Sequence, residues 1–514
     1  MNLRPYQQEV IKAVSRGWGE PGDEPSRQLV VAPTGAGKTI MFAEMARLKQ
    51  GVGQRSLILA HREELIEQAV AKIRSATGIE AQVEKAERHA SRSAPVVVAS
   101  VQTLTRQARL DTWRPDHFGL VVADEAHHAI SDSWQTVLRR FHDHADVCGV
   151  TATPDRGDKR ELATYFTSLA YEVRLVDLIR DGYLSKISVR AVPLEIDLRK
   201  VTSTAGDLDS QQLGEAIEPY LEKIADAVMR YAAGRRTLAF LPLIATSKTF
   251  VEICRARGLR AEHVDGYDFE RGPKLQAFEG FEYDLLSNAM LLTEGYDDPG
   301  IDCVLVLRPT RSRALYAQMI GRGTRPHPLK SDLLILDFLW MHERHSLSKP
   351  ASLVAGNDAE AAVMTKLTEQ QGGKGEVQDL LDLQEEAGSQ RAESLRKQLT
   401  ESAKKKAKFI SADEWAATHD RLGLADYEPT FAWESKAVSE KQARVLKRAG
   451  IDVETVRGAG HASQIIGAVL GGVAAQTCTQ GQRALLRRMG HESPDTATVG
   501  EFRKFMGRMK GATV

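Results

Sequence analysis

Lys38 and Thr39 follow two glycines, Gly35 and Gly37, in the run QLVVAPTGAGKT from Gln28 to Thr39. An apolar strand, a glycine-bearing turn and a new helix form a holder for a chain of phosphates. The glycines let backbone N–H groups wrap phosphate oxygens, and the positive end of the helix faces the same anion. In that setting the Lys38 ammonium reaches the β- and γ-phosphates and the Thr39 hydroxyl ligates Mg2+. Pro33, Thr34 and Ala36 complete the turn, and Ala32 stands where the strict form of this motif begins with glycine. A second run, LVVADEAH from Leu120 to His127, ends an apolar strand in two adjacent carboxylates. At the carboxyl end of a strand, where ligands of α/β sheets bind, Asp124 would help hold Mg2+ and Glu125 would polarise an attacking water. The chemistry predicted is hydrolysis of a nucleoside triphosphate, with ATP and Mg2+ as the ligands.

These residues need strands and helices to place them. Candidate strands fall at Gln28–Ala32, Ser56–Ala60, Val96–Ser100, Leu120–Ala123 and Val147–Thr151, with helical patterns at Thr39–Lys49 and Glu63–Arg74. Buried apolar runs alternating with helices point to a parallel sheet in an α/β fold. The pattern restarts after about residue 190, with strands at Thr237–Leu241, Asp284–Ser287, Cys303–Leu307 and Leu333–Leu336. Two similar lobes are expected, at 1–190 and 191–350. At 514 residues the chain suits about three domains of ordinary size, and 42% apolar and 27% charged residues are those of a globular protein. The 69 basic and 69 acidic side chains balance, so a polyanionic partner depends on where charge lies and not on its sum. Four scattered cysteines, Cys148, Cys254, Cys303 and Cys478, predict neither a disulfide framework nor a zinc site. The N-terminus lacks a signal peptide's apolar stretch, and no run approaches the ~18 apolar residues of a membrane span. A cytoplasmic protein, bacterial or in a phage-infected host, is the resulting expectation.

The P-loop followed by DEAH (Asp124, Glu125, Ala126, His127) resembles the superfamily 2 DEAD/DEAH-box helicases, and further stretches fall in that family's order. Arg4-Pro-Tyr-Gln7 is similar to an N-terminal adenine-contacting element, which marks Arg4, Tyr6 and Gln7. AHREEL (Ala60–Leu65) and SVQT (Ser100–Thr103) resemble motifs Ia and Ib, implying nucleic-acid contacts by His61, Arg62, Ser100, Gln102 and Thr103. TATP (Thr151–Pro154) resembles motif III, giving Thr151 and Thr153, with His127, a coupling role. LTEGYDDP (Leu292–Pro299) resembles motif V, implying strand contacts by Thr293 and Glu294 and nucleotide contacts by Gly295 and Asp297. QMIGRGTR (Gln318–Arg325) resembles motif VI, with Gln318 in the catalytic set and Arg322 and Arg325 as arginine fingers. The likeness covers about residues 1–340 and extends to RadD-type and bacteriophage DNA helicases, partly through LRPT at Leu307–Thr310; a RadD-like cysteine-rich region is missing. It implies two tandem RecA-like lobes, followed here by a small, mostly α-helical C-terminal region.

Beyond residue 350 the composition predicts a charged helical linker at 351–430, acidic around Asp379–Glu386 and basic at Lys404, Lys405, Lys406 and Lys408. From 431 to 514 a weak repeat relates SEKQARVLKRAGI (Ser439–Ile451) to TQGQRALLRRMGH (Thr479–His491), each reading as an N-capped helix closed by glycine. Thirteen Lys/Arg against seven Asp/Glu between Phe431 and Val514 suit a nucleic-acid-binding module, and a small structural helical domain equally well. Trp415 and Trp433 could stack on bases, although burial is the commoner fate of tryptophan. The function expected is an ATP-dependent DNA helicase or translocase acting on single-stranded or branched DNA. The alternatives are an RNA helicase, a motor subunit that moves without separating strands, and a non-catalytic clamp. AHREEL, TATP, DEAH and Gln318 stand where RNA helicases of the DEAD-box type carry PTREL, SAT, DEAD and a different start to motif VI, which favours DNA. Protein partners are not legible in the sequence.

Overall fold

The structure, a computed structural model, describes residues 3–19, 24–61, 63–152, 162–204, 207–293, 295–341, 347–356, 358–372, 377–390, 411–419, 424 and 427–475. Arg62, Thr153, Pro154, Glu294, Cys478, the lysines at 404–408 and the repeat copy at 479–491 lie outside the described residues.

Short runs such as LVV, LILA and VVVA are apolar on both faces, so they are stable only with helices covering both sides of a sheet. Seven of them build the first sheet: β1 (Arg27–Val31), β2 (Ser56–Ala60), β3 (Gln82–Glu84), β4 (Val96–Ser100), β5 (Leu120–Asp124), β6 (Asp146–Thr151) and β7 (Ser168–Glu172). Their order is β3-β4-β2-β5-β6-β1-β7, and every pairing is parallel. Successive residues point to opposite faces. Val30, Ile58, Val98 and Val122 join Phe42 and Met45 of a helix on one side, while Leu29, Leu57, Val97 and Val121 meet Trp113, Phe118 and Phe141 on the other. Only β6 separates β1 from β5, so their carboxyl ends lie about 10 Å apart. The P-loop leaves one end and the DEAH segment the other.

The second sheet repeats the plan with β8 (Ile187–Asp197), β11 (Thr237–Phe240), β12 (Ala261–Val264), β13 (Leu285–Asn288), β14 (Cys303–Val306), β15 (Leu333–Met341) and β16 (Gln378–Asp379), in the order β12-β13-β11-β14-β15-β8-β16. A two-stranded ribbon of β9 (Ser203–Thr204) and β10 (Asp207–Leu208) stands apart from it. All pairings of the second sheet are parallel except that of β16, which runs antiparallel to β8. That exception corrects the expected linker. Residues up to Gly388 belong to the same compact unit as the two lobes. The helix Asp358–Gly372 buries Met364, and Leu380, Leu383 and Ala387 are buried beyond β16. Their spacing of three and four residues is that of an apolar helical stripe, which hides within an acidic composition.

A second compact unit, Ser389–Val514, is described by itself. Helices Ala412–Thr418, Glu440–Arg448 and Ala459–Ala475 contribute to a small core of Ala412, Trp415, Leu446, Ile451, Val456, Ala462 and Ile465. The expected cap is present: Ser439 and Gln442 form a reciprocal capping box, and Gly450 takes φ +74° just past the helix end. Trp415 is a core residue, whereas Trp433 is exposed. No helix among the described residues is long and apolar enough to cross a membrane.

Candidate nucleotide-binding and hydrolysis site

The turn after β1 depends on two left-handed glycines, Gly35 (φ +87°) and Gly37 (φ +77°), before helix α2 (Lys38–Gly51) begins. A Cβ on Gly37 would lie 2.6 Å from Gln7 Nε2, so this position excludes a side chain on space as well as backbone. Helix α1 (Pro5–Arg16) braces the turn from behind. Tyr6 Oη and Gln7 Nε2 both donate to the Ala36 carbonyl, at 2.8 and 3.1 Å, and the Arg4 guanidinium lies over the Tyr183 ring. Arg4, Tyr6 and Gln7 therefore sit against the P-loop, with the polar tips of Tyr6 and Gln7 engaged by the loop itself. Pro33 and Ala36 lie in the same turn, Thr39 follows in the first turn of α2, and Thr34 Oγ1 is buried without a hydrogen-bond partner among the described residues.

After β5, Glu125 adopts φ +51°, a left-handed conformation that costs a non-glycine residue about 1–2 kcal/mol. That turn points its carboxylate into the gap between the lobes. Lys38 Nζ donates to Glu125 Oε1 at 3.1 Å, and Gln318 Nε2 of the second lobe approaches Oε2 at 3.4 Å. His127 Nδ1 stands 3.5 Å from Oε2 and 3.3 Å from Thr151 Oγ1. The DEAH segment thus touches the first motif III threonine and the opening residue of motif VI. Burial, then the neighbouring Glu125 charge, push the Asp124 carboxyl up to about 6, and Lys38 opposes the shift. A carboxyl held in this way gains from a cation more than an ordinary one does. The Thr34 hydroxyl without a partner among the described residues, the glycine-lined turn and a carboxyl near Lys38 fit a phosphate chain with its Mg2+.

The second lobe closes the other wall. Gly321 ends the helix Arg313–Gly321, and a Cβ there would lie 2.4 Å from Thr34 Cβ, so the two lobes touch at the P-loop. Arg322 is buried, donating to the Tyr296 carbonyl at 2.8 Å and to Gln318 O at 3.3 Å. Arg325 pairs with Asp297, and burial lowers its pKa to about 10. Asp297 is shared across the cleft with Lys72, whose Nζ is 3.4 Å from its carboxylate, and Gln68 donates to the Gly295 carbonyl. Lys72 and Gln68 lie on helix α3 (Glu63–Thr77) and were absent from the sequence-derived set. Their only sequence signal is the i,i+4 spacing that places both on one face.

The proposed nucleic-acid residues fare unevenly. Ser100 and Thr103 are buried; Ser100 donates to Gln102 Oε1 and Thr103 Oγ1 accepts the Ala86 N–H. Thr293 is buried too and donates to Met290 O. Each of these hydroxyls has a protein partner, so a strand contact by any of them would need a second bond or an exchange of partner. Gln102 is exposed and donates to the His61 carbonyl, so these two stay together at the surface end of motifs Ia and Ib.

Residues 1–156 match the family described as type III restriction enzyme, res subunit, and residues 220–327 match the helicase conserved C-terminal domain. IRC3 of Saccharomyces cerevisiae, provisionally named an ATP-dependent helicase, is 32% identical over 386 residues, covering 69% of this chain and 54% of that protein. Its namesake in Schizosaccharomyces pombe, provisionally named a mitochondrial ATP-dependent helicase, is 34% identical over 362 residues, covering 68% and 59%. The chain spans little more than half the length of these relatives. An endonuclease subunit of the Escherichia coli type I restriction enzyme EcoAI is 31% identical over 232 residues, 43% of this chain and 27% of that one. Among solved structures, the type ISP restriction-modification enzyme LlaBIII superposes with a TM-score of 0.53 at 15% identity, over 92% of this chain and 42% of that chain, a likeness of fold. With one matched family on each lobe and relatives 32% and 34% identical over two thirds of its length, the chain belongs to the superfamily 2 helicases.

Proposed function

We propose that the chain is a nucleic-acid-dependent ATPase that uses hydrolysis to move along or unwind DNA. The observation that carries this reading is the place of Glu125, held by Lys38 from its own lobe and approached by Gln318 from the other. A γ-phosphate is a stronger partner for the Lys38 ammonium than one carboxylate, so its arrival draws Lys38 away and frees Glu125 to orient water. Mg2+, held by Thr39 and Asp124, would neutralise charge on the β- and γ-oxygens. Arg322 and Arg325 bring positive charge from the second lobe, and an arginine delivered to the transferring phosphoryl is worth about 10³–10⁵ in rate. Gln318 and both arginines share one lobe and the P-loop the other, so turnover follows closure of the cleft, and each cycle opens and shuts it. His127, bonded to Thr151, gives that cycle a route toward motif III.

DNA is favoured over RNA by the departures from DEAD-box motifs and by the restriction-enzyme subunit among the relatives. Gln102 and His61 are the contacts we assign to the strand. The test is steady-state ATPase with single-stranded DNA, duplex DNA and RNA at matched salt, since phosphate contacts make every comparison salt-dependent. Stimulation by DNA beyond that by RNA supports the reading, and stimulation by RNA alone refutes it. Displacement of a triplex strand compared with unwinding of a fork then separates translocation from strand separation.

A further inference from the structure

At the amino ends of the first sheet, away from the P-loop, a cavity of about 600 Å³ opens beside the helix Asp132–Phe141. Arg27, the first residue of β1, lines it, about 13 Å along the strand from Val31 where the P-loop departs. Arg139 and His142 enter from the helix side, and Tyr165 forms a wall. The Arg27 guanidinium lies over the Tyr165 ring, 5.5 Å from its centroid. The His142 ring is parallel to the same ring, with centroids 5.9 Å apart and 7° between planes.

Two buried polar groups of this cluster are unmatched. Tyr165 is only 5% exposed, yet its hydroxyl has no hydrogen-bond partner among the described residues, and His142 Nδ1 is buried in the same condition. Native proteins rarely leave such groups unmatched. Arg139 donates Nε to Gln135 Oε1 at 3.2 Å, which leaves the rest of its guanidinium fork available. Arg27 makes no side-chain hydrogen bond or ion pair among the described residues, which leaves its N–H groups available. Among the described residues the cavity wall holds two guanidinium groups and one carboxylate, Asp132, while Asp143 stands outside it, 3.5 Å from His142 Nε2. Burial raises the Tyr165 pKa and keeps the hydroxyl a donor, and burial lowers that of His142 and keeps the imidazole neutral. A phenol donor between two guanidinium forks suits an anion with several oxygens, and the volume exceeds what a bare phosphate fills.

We propose that this cavity is a second phosphate-binding site, separate from the hydrolytic cleft, which takes the phosphate of a nucleotide or of a nucleic-acid strand. The probe is radiolabelled pyrophosphate in equilibrium dialysis against the full chain carrying Lys38→Ala, which weakens phosphate binding at the P-loop. Pyrophosphate should bind one per chain, and adding Arg27→Gln with Arg139→Gln should weaken it at least about tenfold. Tyr165→Phe should also weaken binding while raising the melting temperature of the ligand-free protein, because it removes a buried hydroxyl with no partner. In the otherwise natural chain, the salt dependence of single-stranded DNA binding identifies the source. Loss of two phosphate contacts lowers the slope of log K against log salt by about 1.4. A changed slope assigns the site to a strand; an unchanged slope with pyrophosphate binding lost assigns it to a free phosphoanion. Arginine variants with unaltered pyrophosphate affinity, or a parent chain that fails to bind it at millimolar concentration, overturn the proposal.

Discussion

Gly321→Ala isolates the closure of the cleft from every other property of the site. The added Cβ would sit 2.4 Å from Thr34 Cβ, 2.8 Å from its Cγ2 and 3.0 Å from its Oγ1, all in the P-loop of the opposite lobe. Carbon atoms settle at about 3.5–4.0 Å, so the lobes must part by about 1 Å or more to admit it. A misplacement of that size costs about 10²-fold when reacting groups must align. Binding energy is lost only in the closed state, since the phosphate-holding turn belongs to the first lobe alone. The same substitution is favourable for the helix it ends, where alanine replaces glycine at a gain of up to about 1 kcal/mol. The expected outcome is therefore divided: melting temperature unchanged or raised, affinity for a fluorescent ATP analogue within about twofold of the parent, and single-turnover hydrolysis with DNA slowed about 10²-fold. Hydrolysis at the parental rate would refute the placement of the seam. Thr34→Gly removes all three facing atoms, so adding it to Gly321→Ala should recover part of the closure defect, measured against Thr34→Gly alone.

Four further outcomes follow from named contacts. Glu125→Gln should keep nucleotide binding and lower turnover about 10²–10⁴-fold, read by phosphate release. Arg322→Ala should slow hydrolysis about 10³-fold or more with little change in ATP affinity, and a rate near the parent's would remove it from the catalytic set. Because burial and Glu125 raise the Asp124 carboxyl to about 6, protonation weakens its hold on Mg2+ as pH falls through that value; the acid limb of kcat/KM should appear near pH 6 and not near 4. In the C-terminal unit, buried His461 has its pKa pushed down to about 4 by burial, from 6.5. The unfolded chain then binds a proton that the folded one refuses, so stability is full above pH 6.5 and falls by up to about 3 kcal/mol toward pH 4. His461→Gln should flatten that pH dependence in thermal melts.

What the sequence made legible was local. The strands at Ser56–Ala60 and Val96–Ser100 are read directly because apolar runs of five flanked by polar residues have few other uses in an α/β chain. The P-loop and DEAH segments announce themselves because each does its work within a single turn. Contacts across the cleft were less accessible. Gln318 reaches Glu125 over 193 positions of sequence, and only the family resemblance marked it. Lys72 and Gln68 are polar residues on an amphipathic helix, and from composition they read as a solvated face. Ser100, Thr103 and Thr293 suit strand contacts by type, while their burial and their bonds to neighbouring groups could not be read from type alone.

The charge balance at the seam explains why closure should wait for nucleotide. Lys72 has its pKa lowered by burial first, and then by the Arg325 and Arg322 charges, with Asp124 opposing. Three cations therefore crowd one region of the closed cleft, and Asp297 alone pairs directly with two of them. That crowding works against the cross-lobe contacts of Lys72 with Asp297 and of Gln318 with Glu125. A triphosphate would add several negative charges near these cations and weaken their mutual repulsion. Lys38 behaves in the same way on the first lobe, exchanging Glu125 for phosphate oxygens. The cations that repel one another at the seam are those that would hold a triphosphate, so nucleotide binding is expected to favour lobe closure. Loss of phosphate would weaken that preference for the closed arrangement.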